Sequence, residues 1–528
     1  VVVSFLPVSF RWQYGIMLFL LGVYAMLTGA NPPVVRASLM VSIYAFGIIL
    51  ERKPDVFNTV FMAAFLILLV QPQQISWIGF QFSFAAVLAI LIIYRRLQPL
   101  EQKLFSVLPP VFQKKWLKTY IIGAFLVSLA AQLGTIPLMV LHFHKIPLIS
   151  FGLNLLVIPL IALIVPVGFL TVGISYLSFP LGELLGHLLS GLIQLLTGLV
   201  QRAADIPFAY LNLPALPFLA LLLYLLLLIL VLWWNSAAVK SLRKPALAVS
   251  IVLLLLLLAP QPRDADLILL DVGQGESSLL QTAGGNLLLF DAGPAFKNRD
   301  SGRDVIFPAM QHLGRLKLDK VFLSHPHADH IGGMFSLLKL AAIDSVYLPH
   351  LKTPYFWQDS LLNSLDKAGV AWRFLNCGDR VRVDEETCIY VLAPFPEFLH
   401  PRETRGDQIN NCSLVMLLKS RNGSILFTGD AETPVEKRLT GWGDVLQANI
   451  LKLGHHGSRT SSSHAFIEQV SPQFGLIPVG VHNRYGHPST AVLEDLGRRR
   501  ITFLRTDESG AVWLRQQGTN WRQIDWRN

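Results

Sequence analysis

The runs LALLLYLLLLILVLWW (219–234) and LAVSIVLLLLLLA (247–259) present no polar face at any helical phase. A helix that is apolar all round at this length belongs in lipid, not in a soluble core. Hydrocarbon gives the backbone no hydrogen-bond partners, so such segments must be helical. The same composition extends over residues 1–262, where about nine spans are predicted. They lie near 14–30, 34–50, 57–71, 77–94, 119–142, 147–178, 184–203, 214–235 and 245–260. The 147–178 run fits one tilted helix or, with Pro159 and Pro166 inside it, two broken pieces.

Only 15% of the 528 residues are charged, but that average hides two halves. Residues 264–528 carry the mixed polar composition of a soluble domain and most of the 14 His. Three cysteines (Cys377, Cys388, Cys412) with no C-x-x-C spacing imply neither a disulfide framework nor a thiolate metal site. The net charge of +10 lies partly in loops. Arg95, Arg96, Lys103, Lys114, Lys115 and Lys118 fall on the same side as Arg11, Arg52, Lys53, Lys240, Arg243 and Lys244 if nine spans are counted. Arg36, Lys145 and Arg202 fall on the other. The basic side is expected to be cytoplasmic, which puts the soluble domain outside the cell membrane. Residues 98–118 mix Leu, Phe and Trp with Lys and suit either an interfacial amphipathic segment or a solvated connector. Polar residues inside spans are pathway candidates or helix–helix contacts. Gln81, Gln132 and Asn154 head that set, with Ser83, Thr135, Glu183 and His187. The chain opens on Val1, so its natural N-terminus is expected to lie upstream.

In the second half, the strand-like Val321–Leu323 runs into SHPHADHIGG, which packs His325, His327, Asp329 and His330 into six positions. Imidazole suits zinc and related metals, and carboxylate can bridge harder ions. Four ligand-type side chains this close are expected to serve two ions, against the plainer reading of a His-rich surface loop. LLLFDAG ends a strand in Asp291. SLVMLLKSRNGSILFT reads as a hairpin turning at Asn422-Gly423, with Asp430 just beyond it. NILKLGHHGS ends a strand in His455 and His456, and GLIPVGVHNRYGHPST ends another before His482, Arg484, Tyr485 and His487. Strands first, then alternating helices and strands, predict an α/β sandwich. Gly273-x-Gly275 lacks a third glycine and a following helix, so it reads as a turn.

Taken in order, DVGQGES, LLFDAG, SHPHADHIGG, FTGDAE and LKLGHHGSRTSSS resemble the metallo-β-lactamase fold. More narrowly, DVGQGES, NNCSLVM, HHGSRTSSS and NRYGHPS, with PPVVRASLM (32–40) and WIGFQFSFAAV (77–87), are similar to ComEC-type competence proteins, membrane channels of natural DNA uptake. That family's oligonucleotide-binding-like N-terminal module is not expected within this sequence, in keeping with a natural N-terminus upstream of Val1. The resemblance implies a multidomain chain: a polytopic α-helical membrane domain over 1–262, then an αββα metallo-β-lactamase-fold domain over 264–528. It implies His325 and His327 as ligands of one ion and Asp329 and His330 of the second. Asp430 would bridge, and His455 or His456 would complete the second ion, with His455 slightly favoured. Asp291 would orient the metal loop by hydrogen bonds. Asp329, Asp430 and Asp291 are the candidate catalytic carboxylates. Where the superfamily supplies one more imidazole to the first ion, this chain has Asn410, Asn411, Cys412 and Ser413. Asn411 and Ser413 are weaker candidate ligands, and His400 is a substitute by type only.

Two divalent ions, zinc or manganese, would make the domain a metal-dependent phosphodiesterase acting on DNA. Arg459, Arg484 and Lys452 are candidates for phosphate oxygens, and Tyr485 and His487 for the leaving oxygen. The implied function is an inner-membrane DNA-uptake channel that passes one strand while the metal domain degrades the other. Its partners would be single-stranded DNA, the lipid bilayer, other competence proteins and further copies of itself. Two alternatives differ in class. One is a channel or scaffold with a non-catalytic metal domain. The other is a membrane metallohydrolase acting on a small or lipid substrate without transport.

Overall fold

The computed structural model describes residues 9–107, 109, 118–258, 264–296, 299–400, 406–481 and 483–525. Contacts divide the chain into two compact units, Val1–Ala259 and Pro260–Asn528.

The first unit is helical: α1 (Phe10–Leu27), α2 (Pro32–Ile49), α3 (Val56–Val70), α4 (Ile78–Val107), α5 (Ile121–Phe143), α6 (Ser150–Leu177), α7 (Phe179–Ala204), α8 (Phe218–Trp233) and α9 (Arg243–Leu258). Among the described residues, α1, α2, α4, α5, α6 and α7 are long and apolar enough to cross a membrane. The helices α3, α8 and α9 are shorter, at 15, 16 and 16 residues. The 147–178 run is one helix with both prolines inside it. Residues 110–117, with Lys114 and Lys115, lie outside the described residues.

Gly134 of α5 meets Ala89 of α4 so closely that a Cβ would overlap it. A small residue at such a crossing lets two backbones approach where no hydrophobic effect drives them together. The polar side chains tie helices to one another. Gln132 Nε2 donates to Ser150 Oγ at 2.7 Å. Asn154 Nδ2 donates to Ser128 Oγ at 2.8 Å. Gln81 Nε2 donates to the Ile75 carbonyl at 3.0 Å, and its Oε1 lies 2.8 Å from His142 Nε2. These bonds show the helix–helix contact that is one of the two readings of Gln81, Gln132 and Asn154.

The second unit is a four-layer αββα sandwich. Its first sheet has the order β6-β5-β4-β3-β2-β1-β14-β15. These strands are β1 (Asp266–Leu269), β2 (Ser278–Gln281), β3 (Leu287–Phe290), β4 (Lys320–Phe322), β5 (Ser345–Leu348), β6 (Ala371–Phe374), β14 (Val512–Gln517) and β15 (Asn520–Ile524). The second runs β7 to β13 in chain order: Arg380–Arg382, Cys388–Ala393, Val415–Ser420, Gly423–Phe427, Ile450–Lys452, Phe474–Ile477 and Thr502–Arg505. Each sheet is antiparallel on one side and parallel on the other. Strands β3 to β6 run parallel in the first sheet, and β10 to β13 in the second.

Strand alternation explains the near-continuous apolar runs. Leu288 and Phe290 of β3 face the core between the sheets, where they meet Phe322, Met416, Ile425 and Phe427. Leu287 and Leu289 face the outer helices through Ile306, Phe307, Met310 and Leu337. Leu426 and Leu451 of the other sheet pack outward against Val435, Phe466, Ile467 and Leu496. In the central core Phe290 is stacked between Phe427, with centroids 3.8 Å apart and planes 8° apart, and Phe322, at 5.3 Å and 15°.

Candidate metal centre

The parallel strands β3, β4, β10 and β11 all point their C-terminal ends to one edge of the sandwich. Their next residues carry the chemistry: Asp291 after β3, His325 to His330 after β4, Asp430 after β10, and His455 and His456 after β11. Loops at such an edge are where a rigid scaffold holds functional groups.

Asp291 is buried, in a left-handed conformation with φ 55°. Its Oδ1 accepts from the Ser324 amide at 2.7 Å and its Oδ2 from Ser324 Oγ at 2.6 Å. Oδ2 also lies 2.8 Å from Nδ1 of His330. This carboxylate fixes the loop after β4 and aims Nε2 of His330 into the cluster. There Nε2 lies 3.3 Å from Asp430 Oδ2, and Nε2 of His456 lies 3.7 Å from the same oxygen. Asp329 Oδ2 stands 4.0 Å from each of these two nitrogens. His325 is fully buried, with its ring 4.1 Å from that of His330 and its Nε2 2.8 Å from Nδ1 of His327.

His325, His330 and Asp430 form one group whose ligand atoms lie within 4.8 Å of one another, and Asp329, His330 and His456 form another. His330 Nε2, His456 Nε2 and Asp430 Oδ1 are buried without a hydrogen-bond partner. Leaving such atoms unpaired is costly unless something binds them. Three unpaired ligand-type atoms converging in an imidazole–carboxylate set fit divalent metal ions, and these residues would hold them.

His455 and His456 adopt consecutive left-handed conformations, φ 45° and 55°. That turn separates their fates. His456 is buried, and its Nδ1 donates to the Pro478 carbonyl at 2.8 Å, leaving Nε2 facing the cluster. His455 turns aside, its Nδ1 3.2 Å from Glu432 Oε1. The slight preference for His455 thus gives way to His456. His456→Ala is expected to weaken zinc binding by more than about 100-fold, and His455→Ala by only a few-fold. Chelator competition on the purified variants checks this, and the reverse order would reassign the ligand.

Charges inside the site act strongly on one another. Burial alone would lower the His330 pKa, but Asp430 and Asp291 outweigh it and hold it well above the usual histidine value. Burial likewise works to raise Asp430, yet His330 and His456 keep it well below the ordinary carboxylate range. Burial pushes His456 down to about 4, and drives His325 well below the usual value. In the metal-free site His330 therefore carries a proton that a metal must displace. Affinity for zinc is expected to rise about tenfold per pH unit while His330 remains protonated. Calorimetry in buffers of different ionisation heat should show close to one proton released per ion at neutral pH; a pH-independent affinity would contradict this.

Two residues of this network escape a reading of the motifs. Glu276, in the turn after β1, is buried and donates its amide to the Asp329 carbonyl at 3.2 Å. Burial raises its carboxyl to about 7 against the pull of Lys452. The Lys452 ammonium is fully buried, ion-paired with Glu276, bonded to the Gly429 carbonyl at 2.8 Å and 3.8 Å from Asp430 Oδ1. It faces the interior and cannot meet a phosphate in the cleft, as the sequence suggested it would. The signal for Glu276 is an acid in the glycine-rich turn Asp271–Ser277 after β1.

In the Asn410–Ser413 segment, Ser413 Oγ is 3.4 Å from His325 Nδ1 and accepts from the Asp430 amide at 3.2 Å. Asn411 Oδ1 accepts from the Glu432 amide at 3.2 Å, which commits it there; Asn410 lines the cleft in its place. His400 is exposed and belongs to neither group, and His482 lies outside the described residues.

The cluster floors an open cleft. One part, about 580 Å³, is lined by His327, Asp329, Tyr355, Asp430, His456 and His487. An adjoining part of about 630 Å³ is lined by Gln274, Phe296, Arg299, Asp329, Arg484 and Tyr485. Phe296 and Tyr485 are 67% and 70% exposed, so both rings are open to solvent at the rim. Tyr485 stacks on His487 at 5.8 Å, and Asn483 braces both by accepting from their amides at 3.3 and 3.0 Å. Arg459 is exposed and lines neither part.

Residues 1–238 match the family described as Competence protein, and residues 270–481 match the Metallo-beta-lactamase superfamily. A competence protein domain is thus followed by a metallo-β-lactamase superfamily domain, the fold of metal-dependent hydrolases. ComE operon protein 3 of Bacillus subtilis (strain 168) is 28% identical over 517 residues, covering 95% of this chain and 63% of that protein. The uncharacterized protein YcaI of Escherichia coli (strain K12) is 28% identical over 510 residues, 94% of this chain and 61% of its own. Competence protein ComA of Neisseria gonorrhoeae is 33% identical over 250 residues, 47% of this chain and 32% of its own. The chain spans about three fifths of the length of the first two.

Proposed function

We propose that this chain, a competence protein domain joined to a metallo-β-lactamase superfamily domain, takes up DNA across the inner membrane, passing one strand through its helical unit and hydrolysing the other outside the cytoplasm. The observation that carries the hydrolytic half is the convergence of His325, His330, His456, Asp329 and Asp430, with orphaned buried ligand atoms, at the floor of an open cleft. His327 borders the same set. Two divalent ions, zinc or manganese, would be held there and would supply Lewis acidity toward a phosphoryl oxygen and water.

The chain's own groups do the rest. Asp291 holds His330 in one orientation through Nδ1. Asp329, the half-exposed carboxylate of the cluster, is placed to take a proton from attacking water at Oδ2. Arg299 and Arg484 face the cleft as cations for phosphate oxygens. Phe296 and Tyr485 offer solvent-open rings on which bases stack without regard to sequence. A rim of arginines and aromatic rings suits a polynucleotide better than a small or lipid substrate. Other competence proteins and further copies of the chain are proposed partners.

The deciding experiment incubates the full chain in detergent with manganese or zinc and offers single-stranded DNA, duplex DNA and a small phosphodiester. Divalent-dependent DNA cleavage that Asp329→Ala abolishes is expected. Equal cleavage by Asp329→Ala, or cleavage of the small diester alone, would dismiss this reading.

A further inference from the structure

The helical unit contains a buried cation with no counter-charge among the described residues. Arg36 lies about one turn into α2 and is 3% exposed. Its Nε donates to Ser83 Oγ of α4 at 3.1 Å, and Ser83 Oγ donates in turn to the Gly79 carbonyl at 2.8 Å. A Cβ on Gly79 would stand 3.3 Å from the guanidinium Nη2, so only glycine leaves that end of the fork uncrowded. Arg36 thereby joins the PPVVRASLM and WIGFQFSFAAV segments. Among the described residues no carboxylate pairs with it, and Ser83 is the one side chain that its guanidinium meets in a hydrogen bond. Gln81, Gln132 and Asn154 are engaged with neighbouring helices, whereas Arg36 is a charged group held, among the described residues, by one side-chain hydrogen bond.

An unpaired charge among membrane helices is costly and marks a functional site. Arg36 lines a cavity of about 560 Å³ with Gln71, Gln74, Trp77, Val35 and Leu66. Gln74 Nε2 donates to Gln71 Oε1 at 2.7 Å, so the pair still has an amide donor and a carbonyl acceptor to offer. Within an otherwise apolar lining that includes Leu39, Ile67 and Val70, the cavity therefore combines a planar cation, one remaining amide donor and acceptor, and an indole. A guanidinium fork matches two oxygens of a phosphodiester, and an indole stacks a base.

We propose that Arg36, with Gln71, Gln74 and Trp77, forms a phosphodiester-binding subsite in the helical unit that holds one nucleotide of a single strand. This rests on the reading of the chain as a DNA-uptake protein. The amides and indole favour a nucleotide over a lipid headgroup, which would use only the cation.

The test uses the full chain, carrying Asp329→Ala to prevent cleavage, in phosphatidylcholine nanodiscs. An oligothymidylate with 5-iodouracil is photo-crosslinked and the sites are read by mass spectrometry. Crosslinks are expected in the segment containing Trp77 and at the rim of the metal cleft. Arg36→Gln should lower the Trp77-segment yield roughly tenfold and leave the rim yield unchanged. Gly79→Ala, which keeps the charge but crowds it, should lower the same yield and guards against a folding artefact in the first variant. Unchanged Trp77-segment yield in both variants, with the rim still labelled, overturns the Arg36 subsite alone. No crosslink at either place in the parent overturns the DNA reading itself. If Arg36→Gln alters only the binding of added phosphatidylglycerol, the anion is a lipid and the proposal falls.

Discussion

Asp430→Asn is expected to reduce metal-dependent phosphodiester hydrolysis by about 10³-fold or more, the loss that follows from removing several kcal/mol of charge stabilisation at a metal site. Asp430 approaches both His330 and His456 more closely than Asp329 does, at 3.3 and 3.7 Å, and it is buried. Asparagine keeps the shape and the amide that Ser413 Oγ receives, so the sandwich should stay folded. It loses the negative charge that brings cations to this spot and that keeps a proton on His330 in the metal-free protein. Two readouts should move together: metal content by mass spectrometry of the purified protein, and cleavage rate. A variant with full metal content and near-parental rate would remove Asp430 from the centre.

Lys452→Met should destabilise the metal-free second unit by about 3–5 kcal/mol, the usual cost of breaking a buried ion pair from one side. The substitution preserves volume but strands Glu276 and Asp430 in a space that excludes water. Glu276→Gln added to Lys452→Met should recover much of the loss, because the double variant buries fewer uncompensated charges. Urea unfolding followed by near-ultraviolet circular dichroism reads both. Destabilisation below about 1 kcal/mol for the single variant would mean that the ammonium is not the counter-ion the geometry suggests.

Much of the fold follows from the pattern of residues. Runs without a polar face must be helices in lipid, and LLLF or SILF flanked by turn residues must be strands buried on both faces. Asp291, His325 and Asp430 could be named because each closely follows such a strand, and His330 because it lies in the same cluster as His325. The remainder depends on contacts between segments remote in sequence. Which of His455 and His456 faces the centre is decided by two left-handed backbone conformations, and neither side chain announces them. Lys452 looked available because it is charged and near a motif; alternation along β11 turns it inward. Glu276 becomes part of the centre only when β11 brings Lys452 beside it. Gln81, Gln132 and Asn154 are polar groups within apolar runs, but whether such a group lines a path or joins two helices depends on which helix stands opposite.

The stack of Phe322, Phe290 and Phe427 acts as a ruler. Phe290 immediately precedes Asp291, and Phe322 and Phe427 each stand three residues before His325 and Asp430. The ring thickness between Phe290 and Phe427, centroids 3.8 Å apart, fixes how far one sheet's ligands stand from the other's. Changing the ruler should therefore retune the centre from a distance: a thinner residue at Phe427 would draw the two ligand sets together and shift the preference between a smaller and a larger ion, with no ligand altered.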